Sequence, residues 1–150
     1  HEIDLIELID YVIKTYEKII SKNNISIKFN KTDNFKIIGD RDKLIEIFTN
    51  LIDNSIKYSD KNKEITITAK KDGEFNTVSV ADQGIGIPKE SIHRITERFF
   101  TVDPSKSRSV GGTGLGLAIV KHLVSQHRAE MDINSIENKG TTIDIKFNPL

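Results

Sequence analysis

The stretch Asp40-Arg41-Asp42-Lys43-Leu44-Ile45-Glu46-Ile47-Phe48-Thr49-Asn50-Leu51-Ile52-Asp53-Asn54-Ser55-Ile56-Lys57-Tyr58 reads as one long amphipathic helix. Asp40 suits the N-cap, because its carboxylate can take a backbone N–H group that a helix start leaves without a partner. At about 100° per residue, Leu44, Phe48, Leu51 and Ser55 fall on one stripe with Ile47 beside it, the face expected to pack on a sheet. Asn50, Asn54 and Lys57 fall on a second stripe within about 60° of one another, and Tyr58 lies between the two. Asparagine side chains compete with the helix backbone for hydrogen bonds, so two of them one turn apart run against propensity. One reading is a pair of solvated amides. The other is a polar stripe turned to a ligand, where an Asn oxygen can complete an octahedral Mg²⁺ shell shared with phosphate oxygens and water. Lys57 can then neutralise a phosphate, and Tyr58 can lie against a flat base.

On the N-terminal side, Leu5 to about Ser21 has helical spacing and Asn23-Asn24 breaks it. Ile25 to Phe29 alternates as a half-buried strand, and Phe35 to Ile38 suits a short strand before Gly39. On the C-terminal side, Glu64 to Ala69 and Asn76 to Ala81 alternate around Lys71-Asp72-Gly73-Glu74, the pattern of an antiparallel hairpin. Leu115 to about Gln126 is helical again. Met131 to Asn134 and Thr142 to Phe147 form a closing hairpin turned at Asn138-Lys139-Gly140. Strands in adjacent pairs, rather than in strict strand-helix-strand alternation, predict an α+β two-layer sandwich with a mixed, mostly antiparallel sheet.

Two glycine-rich stretches lie after the central helix. Asp82-Gln83-Gly84-Ile85-Gly86-Ile87-Pro88 follows a strand, where a carboxylate can accept a hydrogen bond from an exocyclic amine such as that of adenine. Gly111-Gly112-Thr113-Gly114-Leu115-Gly116-Leu117 opens a helix, whose N-terminal N–H groups suit a phosphate. Neither is a P-loop or a dinucleotide fingerprint: the third glycine of the latter is replaced by Leu117 in one stretch and by Lys89 in the other. Alone, each also reads as an ordinary turn or hinge. Between them, residues from about 96 to 113 have no clean period, and a loop that long inside a compact domain is expected to be a functional lid or a disordered segment.

Composition narrows the classes. The 150 residues carry 22 Lys or Arg and 22 Asp or Glu, so no net charge draws the chain to nucleic acid or anionic lipid. The length and a 37% hydrophobic content suit one core. The lack of cysteine excludes a disulfide frame, a thiolate metal site and a Cys nucleophile, and suits a reducing cytoplasm. No apolar run approaches the roughly 18 to 20 residues of a membrane span. Beginning at His1-Glu2-Ile3 without a methionine, the chain is expected to be a piece of a longer protein.

Taken in order and with their intervals, these stretches give the chain a resemblance, over nearly its whole length, to the ATP-binding catalytic domain of sensor histidine kinases, within the wider fold shared with gyrase, Hsp90 and MutL. Asn50 to Ser59 resembles the N box, Asp82 to Pro88 the G1 box and Glu97-Arg98-Phe99-Phe100 the F box. Gly112 to Val120 resembles the G2 box, and Gly140-Thr141-Thr142 the entry to the last strand. The resemblance implies the Bergerat ATP-binding fold, with helices on one face of the sheet, as a single domain over 1–150 with a flexible ATP lid at about 96–113.

It also implies roles. ATP and Mg²⁺ are the cofactors. Asn54 ligates the metal, with Asn50 a second or water-mediated ligand; Lys57 touches phosphate, Tyr58 flanks adenine and Asp82 takes the adenine amine. Gly84, Ile85, Gly86 and Ile87 shape the base pocket. Arg98, Phe99 and Phe100 anchor the lid, with Arg98 counted among the catalytic residues beside Asn50, Asn54 and Lys57. Gly112, Thr113, Gly114, Leu115, Gly116 and Leu117 hold the phosphates, and Thr142 supports Asp82, directly or through water. Where hydrolytic relatives place a water-activating Glu, this chain has Asn50, which has no useful basicity. That favours transfer of the γ-phosphoryl group to a histidine on the protein's own separate dimerisation domain, followed by a response regulator. None of His1, His93, His122 and His127 reads as that acceptor. The implied setting is a cytoplasmic domain of a membrane-anchored sensor that is a homodimer only at full length, with no nucleic acid and no direct membrane contact by this domain. Thr96 and Thr101 stand where members often have Phe and a basic residue, and His127-Arg128-Ala129 where they have His-Gly-Gly. These departures leave two alternatives, a nucleotide-binding regulatory module without transfer activity and an ATPase of the same fold.

Overall fold

The computed structural model describes residues 1–59, 63–97 and 116–150. Strand β1 (Glu2–Asp4) leads into α1 (Leu5–Thr15), α2 (Glu17–Lys22), β2 (Ser26–Asn30), β3 (Lys36–Ile38) and α3 (Arg41–Tyr58). The hairpin β4 (Glu64–Lys71) and β5 (Asn76–Ala81) follows. A 3-10 turn spans Lys89–Arg94, and α4 (Gly116–Gln126), β6 (Glu130–Ile136) and β7 (Gly140–Phe147) complete the chain. Five strands form one sheet in the order β2-β4-β5-β7-β6. Only β2 and β4 pair in parallel, which requires a crossover, and β3 with α3 supplies it. The other neighbours are antiparallel, so the sheet is mixed as the paired strands predict.

One face of this sheet carries the core. Val78 and Val80 on β5 and Ile143, Ile145 and Phe147 on β7 meet the buried stripe of α3, with Phe48 and Phe147 tilted at 46° and 6.3 Å between ring centres. Leu44, Ile47, Phe48, Leu51 and Ser55 are all buried, as the helical stripe requires. Leu5, Leu8, Ile9 and Val12 of α1 and Leu117, Val120, Leu123 and Val124 of α4 flank it in the same core. Asp40 caps α3 through Oδ1, which accepts the Lys43 N–H at 3.1 Å.

Three local readings change. The first helix does not run through to Ser21. The Thr15 hydroxyl turns back to the Val12 carbonyl at 2.7 Å, and Tyr16 leaves helical geometry at φ −103°, ψ 3°, dividing it into α1 and α2. Strand β1 gives no sequence signal because three residues carry no period; its pairing with β3 defines it. The strands β6 and β7 are longer than their alternation suggests, reaching back to the turn at Asn138.

The C-terminus of α4 shows what replaces the missing glycine. Arg128 takes the left-handed conformation itself, at φ 55°. The Ala129 N–H donates to the Val124 carbonyl and the Arg128 N–H to that of Ser125, the paired bonds of a Schellman cap. His127 closes the same end. Its Nε2 accepts the Asp40 N–H at 3.1 Å, which leaves Nδ1 to donate to the Leu123 carbonyl at 2.8 Å. A left-handed residue with a Cβ costs about 1 to 2 kcal/mol, partly offset by the greater freedom glycine has in the unfolded chain. Arg128→Gly is therefore expected to stabilise the protein by roughly 0.5 to 1 kcal/mol, read as a higher urea midpoint at unchanged slope.

Candidate functional site

The polar stripe of α3 lies beside its packed face rather than in open solvent. Asn50, Asn54, Lys57 and Tyr58 are all half-buried. The Asn50 amide nitrogen donates to the Glu46 carbonyl at 2.8 Å, which leaves its oxygen without that bond. That oxygen lies 3.6 Å from where a Cβ on Gly116 would stand, so the first residue of α4 approaches the stripe directly. The Lys57 ammonium pairs with the Asp53 carboxylate at 2.9 Å, one turn back. Neutral amide oxygens beside a helix start are a donor set for a hard cation that arrives with its own phosphate ligands. Among the described residues there is no group of three His, Cys, Asp or Glu able to hold a metal.

At the end of β5, Asp82 continues the inward-facing positions of Val78 and Val80. Its Oδ1 accepts the Gly84 N–H at 3.0 Å and the Thr141 N–H at 3.1 Å, and its own N–H donates to the Thr141 carbonyl at 2.9 Å. Oδ2 takes part in neither of these backbone bonds. Burial pushes the Asp82 carboxyl above the ordinary carboxylate range. The bonds from Gly84, Thr141 and the Ser55 hydroxyl pull part of the way back.

The loop that follows is sewn to α3 on one side and to the β6–β7 turn on the other. The Ile85 N–H donates to the Tyr58 carbonyl at 3.3 Å, and a Cβ on Gly84 would lie 2.2 Å from that same oxygen. Gly86 has φ +70°, and a Cβ there would meet the Ile136 carbonyl at 2.2 Å. The Asn138 N–H donates to the Ile85 carbonyl at 2.7 Å, and the Ile87 N–H to Ser135 Oγ at 2.7 Å. Ile87 is buried and Ile85 half-buried. Among the described residues, one buried side-chain oxygen lacks a partner, Ser59 Oγ, at this same end of α3.

The structure thus gathers Asn50, Asn54, Lys57, Tyr58, Asp82, Gly84, Ile85, Gly86, Ile87 and Gly116 around the C-terminal half of α3. Leu117 is buried in the core. Arg98, Phe99, Phe100, Gly112, Thr113, Gly114 and Leu115 lie outside the described residues, as does the expected lid from 98 onward.

The support of Asp82 expected from Thr142 is corrected. Thr142 pairs with Ala81 and Asn134 and faces away from the helices, with Asp144 and Lys146. Thr141, one residue earlier and buried, makes both backbone bonds to Asp82, since neighbouring strand residues point to opposite faces.

Four further residues escaped the sequence reading of the site. Ser55 lies on the packing stripe of α3, where a hydroxyl among aliphatic residues is a visible signal. Thr141 stands at the entry to the last strand. Ser135 and Tyr16 reach the site from other elements and leave no local signal. The Tyr16 hydroxyl donates to the Thr49 carbonyl at 3.4 Å, and burial, with the Asp53 charge next, pushes its phenol up to about 12.

A family model described as histidine kinase-, DNA gyrase B- and HSP90-like ATPase matches residues 39–150, and the chain belongs to that family, whose members bind ATP. Sensor-like histidine kinase SenX3 of Mycolicibacterium smegmatis is 34% identical over 145 residues, 97% of this chain and 38% of its own length. Sensor histidine kinase WalK of Bacillus subtilis is 43% identical over 106 residues, 69% of this chain and 17% of its own. The chain thus spans well under half the length of these curated relatives. Mycobacterial sensor histidine kinase MprB superposes with a TM-score of 0.85 at 28% identity, all of both chains being covered. Histidine kinase ThkA, crystallised in complex with response regulator protein TrrA, gives 0.83 at 27% identity, over all of this chain and 42% of that one. Within the family, the chain is the catalytic ATP-binding domain of a two-component sensor histidine kinase. No helix among the described residues is long and apolar enough to cross a membrane.

Asp82→Asn tests the electrostatics of the site. The amide oxygen can keep both backbone bonds while the buried charge disappears, so the unfolding midpoint at neutral pH is expected to equal or exceed the unsubstituted protein's. A raised folded-state pKa means that the folded chain takes up the proton before the unfolded one. The charge penalty is therefore relieved as pH falls through the raised value toward about 4, the unfolded value of an aspartate. Over that window the unsubstituted protein should gain on Asp82→Asn, read as a difference in melting temperature that grows on acidification.

Proposed function

We propose that residues 1–150 form a single catalytic domain that binds Mg-ATP across the C-terminal half of α3 and delivers the γ-phosphoryl group to a histidine on the parent protein's separate dimerisation domain. The observation that carries this reading is the junction of three elements. The amide stripe of α3, the buried Asp82 carboxylate and the start of α4 meet at one edge, with Gly84 against the Tyr58 carbonyl and Gly116 beside Asn50. Asp82, whose Oδ2 takes part in neither backbone bond, is an acceptor for the adenine amine, and Tyr58 flanks the base. Lys57 meets phosphate oxygens, and the N–H groups at the start of α4 add partial positive charge.

Asn54 would hold the metal, with Asn50 directly or through water, since amide oxygens are donors that suit a hard cation. The metal's chemistry is neutralisation of charge on the transferring group. In the transfer, a histidine ring nitrogen bonds to the γ-phosphorus as the bond from that phosphorus to the β–γ bridging oxygen breaks, and ADP leaves. Asn50 offers no base for water, which supports transfer over hydrolysis. Arg98, Phe99, Phe100 and residues 112–115 complete the phosphate end in this reading. The crystallised ThkA–TrrA complex supports a response regulator as the next acceptor. The full-length protein is read as a homodimeric, membrane-anchored sensor with this domain in the cytoplasm, touching neither membrane nor nucleic acid.

Calorimetry with ATP and Mg²⁺ on the chain and on Asn54→Ala tests the site. The variant is expected to lose tenfold or more in Mg-ATP affinity, and equal affinities count against the assignment. Mixing the chain with the parent protein's histidine-bearing domain and labelled ATP tests the activity. An acid-labile phosphoprotein is expected. Binding without it points to a regulatory module, and steady phosphate release without a partner to an ATPase.

A further inference from the structure

The hydrogen bonds that fix the loop from Gly84 to Ile87 are of two kinds. Ile85 is held by backbone groups, donating to the Tyr58 carbonyl and accepting the Asn138 N–H, and side-chain substitution leaves these in place. Gly84 and Ile87, at the two ends, are held by side chains: Gly84 by the Asp82 carboxylate at 3.0 Å and Ile87 by Ser135 Oγ at 2.7 Å. Ser135 is the last inward-facing position of β6, after Met131 and Ile133, so a hydroxyl stands where the alternation of the strand calls for an apolar side chain. It lies directly opposite Thr141 on β7, and the two hydroxyls are 2.9 Å apart. We propose that Ser135 is a positioning residue of the base pocket: it ties the end of the loop at Ile87 to the Gly140–Thr141 backbone that abuts Asp82, and so sets the spacing between the pocket wall and the carboxylate that receives the adenine amine. The proposal rests on the reading of residues 84–87 and Asp82 as that pocket.

The bonding of the hydroxyl supports this role. A serine oxygen offers one proton and two lone pairs. The proton goes to the Gly140 carbonyl at 3.0 Å, and the lone pairs take the Ile87 N–H and the Thr141 hydroxyl. Nothing is left for a ligand, so Ser135 acts through the groups it holds. Those groups lead directly to Asp82. Thr141 donates its N–H to Asp82 Oδ1 and accepts the Asp82 N–H at its carbonyl. Gly140 is pressed against the same residue, since a Cβ there would stand 2.1 Å from the Asp82 carbonyl. On the other side, Ile87 is buried, and it is the last residue of the loop before Pro88 leads into the 3-10 turn. Pro88 has no N–H with which to make a further bond, so Ser135 anchors this end. Without it, the Ile87 N–H and the Thr141 hydroxyl both lose a partner in buried surroundings, and the wall is free to move against the carboxylate. A flat ring bound between them then has to order more of the protein as it binds.

The test uses the 150-residue chain, with Ser135→Ala and with Ser135→Thr, which keeps a hydroxyl, titrated calorimetrically with Mg-ATP and with adenosine, which has no phosphate. Melting temperatures check that each variant is folded, and amide hydrogen exchange follows the Ile87 N–H. Ser135→Ala is expected to lose roughly three- to tenfold in affinity, about what one neutral hydrogen bond is worth, and by the same factor for adenosine as for Mg-ATP. Its Ile87 amide should exchange about tenfold faster. Ser135→Thr should bind both ligands within about twofold of the unsubstituted chain. Unchanged adenosine affinity in Ser135→Ala overturns the proposal, and so does a loss for Mg-ATP well beyond that for adenosine, which damage to the phosphate end would give. An Ile87 amide that exchanges no faster overturns it as well, and so does a folded Ser135→Thr as weak as Ser135→Ala, since an oxygen at that point would then count for nothing. If instead the unsubstituted chain binds Mg-tripolyphosphate as tightly as Mg-ATP, the reading of the base pocket falls and takes this proposal with it.

Discussion

Asp82 keeps a carboxylate largely out of water at the end of β5, and an ion in that position is tolerated only while donor groups replace its hydration. Two donors do so, and each comes from a different element: the Gly84 N–H from the loop and the Thr141 N–H from β7. The loop and the sheet are therefore placed relative to one another by a single carboxyl oxygen. Gly84 must lack a side chain because the Tyr58 carbonyl already occupies that space. The same carbonyl accepts the Ile85 N–H, so the end of α3 cannot move away from the carboxylate without breaking a second bond. With α3 anchored in this way, its amide stripe comes to rest beside Asp82 and under the start of α4.

What the sequence reveals follows the range of each interaction. The two faces of α3 are written in one continuous helix, so Leu44, Phe48 and Leu51 separate from Asn50, Asn54 and Lys57 by angle alone. The hairpin of β4 and β5 is likewise local. The support of Asp82 is not, because it depends on the register between β5 and β7. A reading one residue out chooses Thr142, whose side chain points to the other face of the sheet. Strand β1 exists through its pairing with β3. Tyr16 is the extreme case: 33 residues separate it from Thr49, and nothing around it in the chain distinguishes it from a core aromatic.

The donor set of α3 also limits what the domain can do unaided. Amides and an ammonium orient and neutralise, but they do not accept a proton from an attacking nucleophile at neutral pH. Among the described residues, the buried carboxylate of the site, Asp82, has its Oδ1 committed to two backbone donors and lies at the end proposed for the base. Chemistry built only on positioning and charge suits phosphoryl transfer, whose transition state asks little covalent help of the protein. In the proposed reaction the nucleophile comes from elsewhere, and a histidine nitrogen, already carrying a lone pair near neutral pH, needs no base.

In the proposed site, the base end and the phosphate end are braced by different means, and the difference follows from what each end would do. At the base end, Ser135 Oγ accepts the Ile87 N–H and donates to the Gly140 carbonyl. A hydroxyl has one proton, so its 2.9 Å contact with Thr141 Oγ1 must run the other way, with Thr141 donating. Every proton in this cluster is assigned, and Gly86, Asn138 and the loop backbone are locked around it. A flat ring gains from such a slot, since a rigid wall can match its shape without reordering. At the phosphate end, charge must be met by groups that adjust as oxygens shift, and a lysine on a long stem does so at the cost of freedom when it binds. The Asp53 carboxylate, 2.9 Å from that ammonium, reconciles the two demands: it takes one of the three donors and leaves two to give.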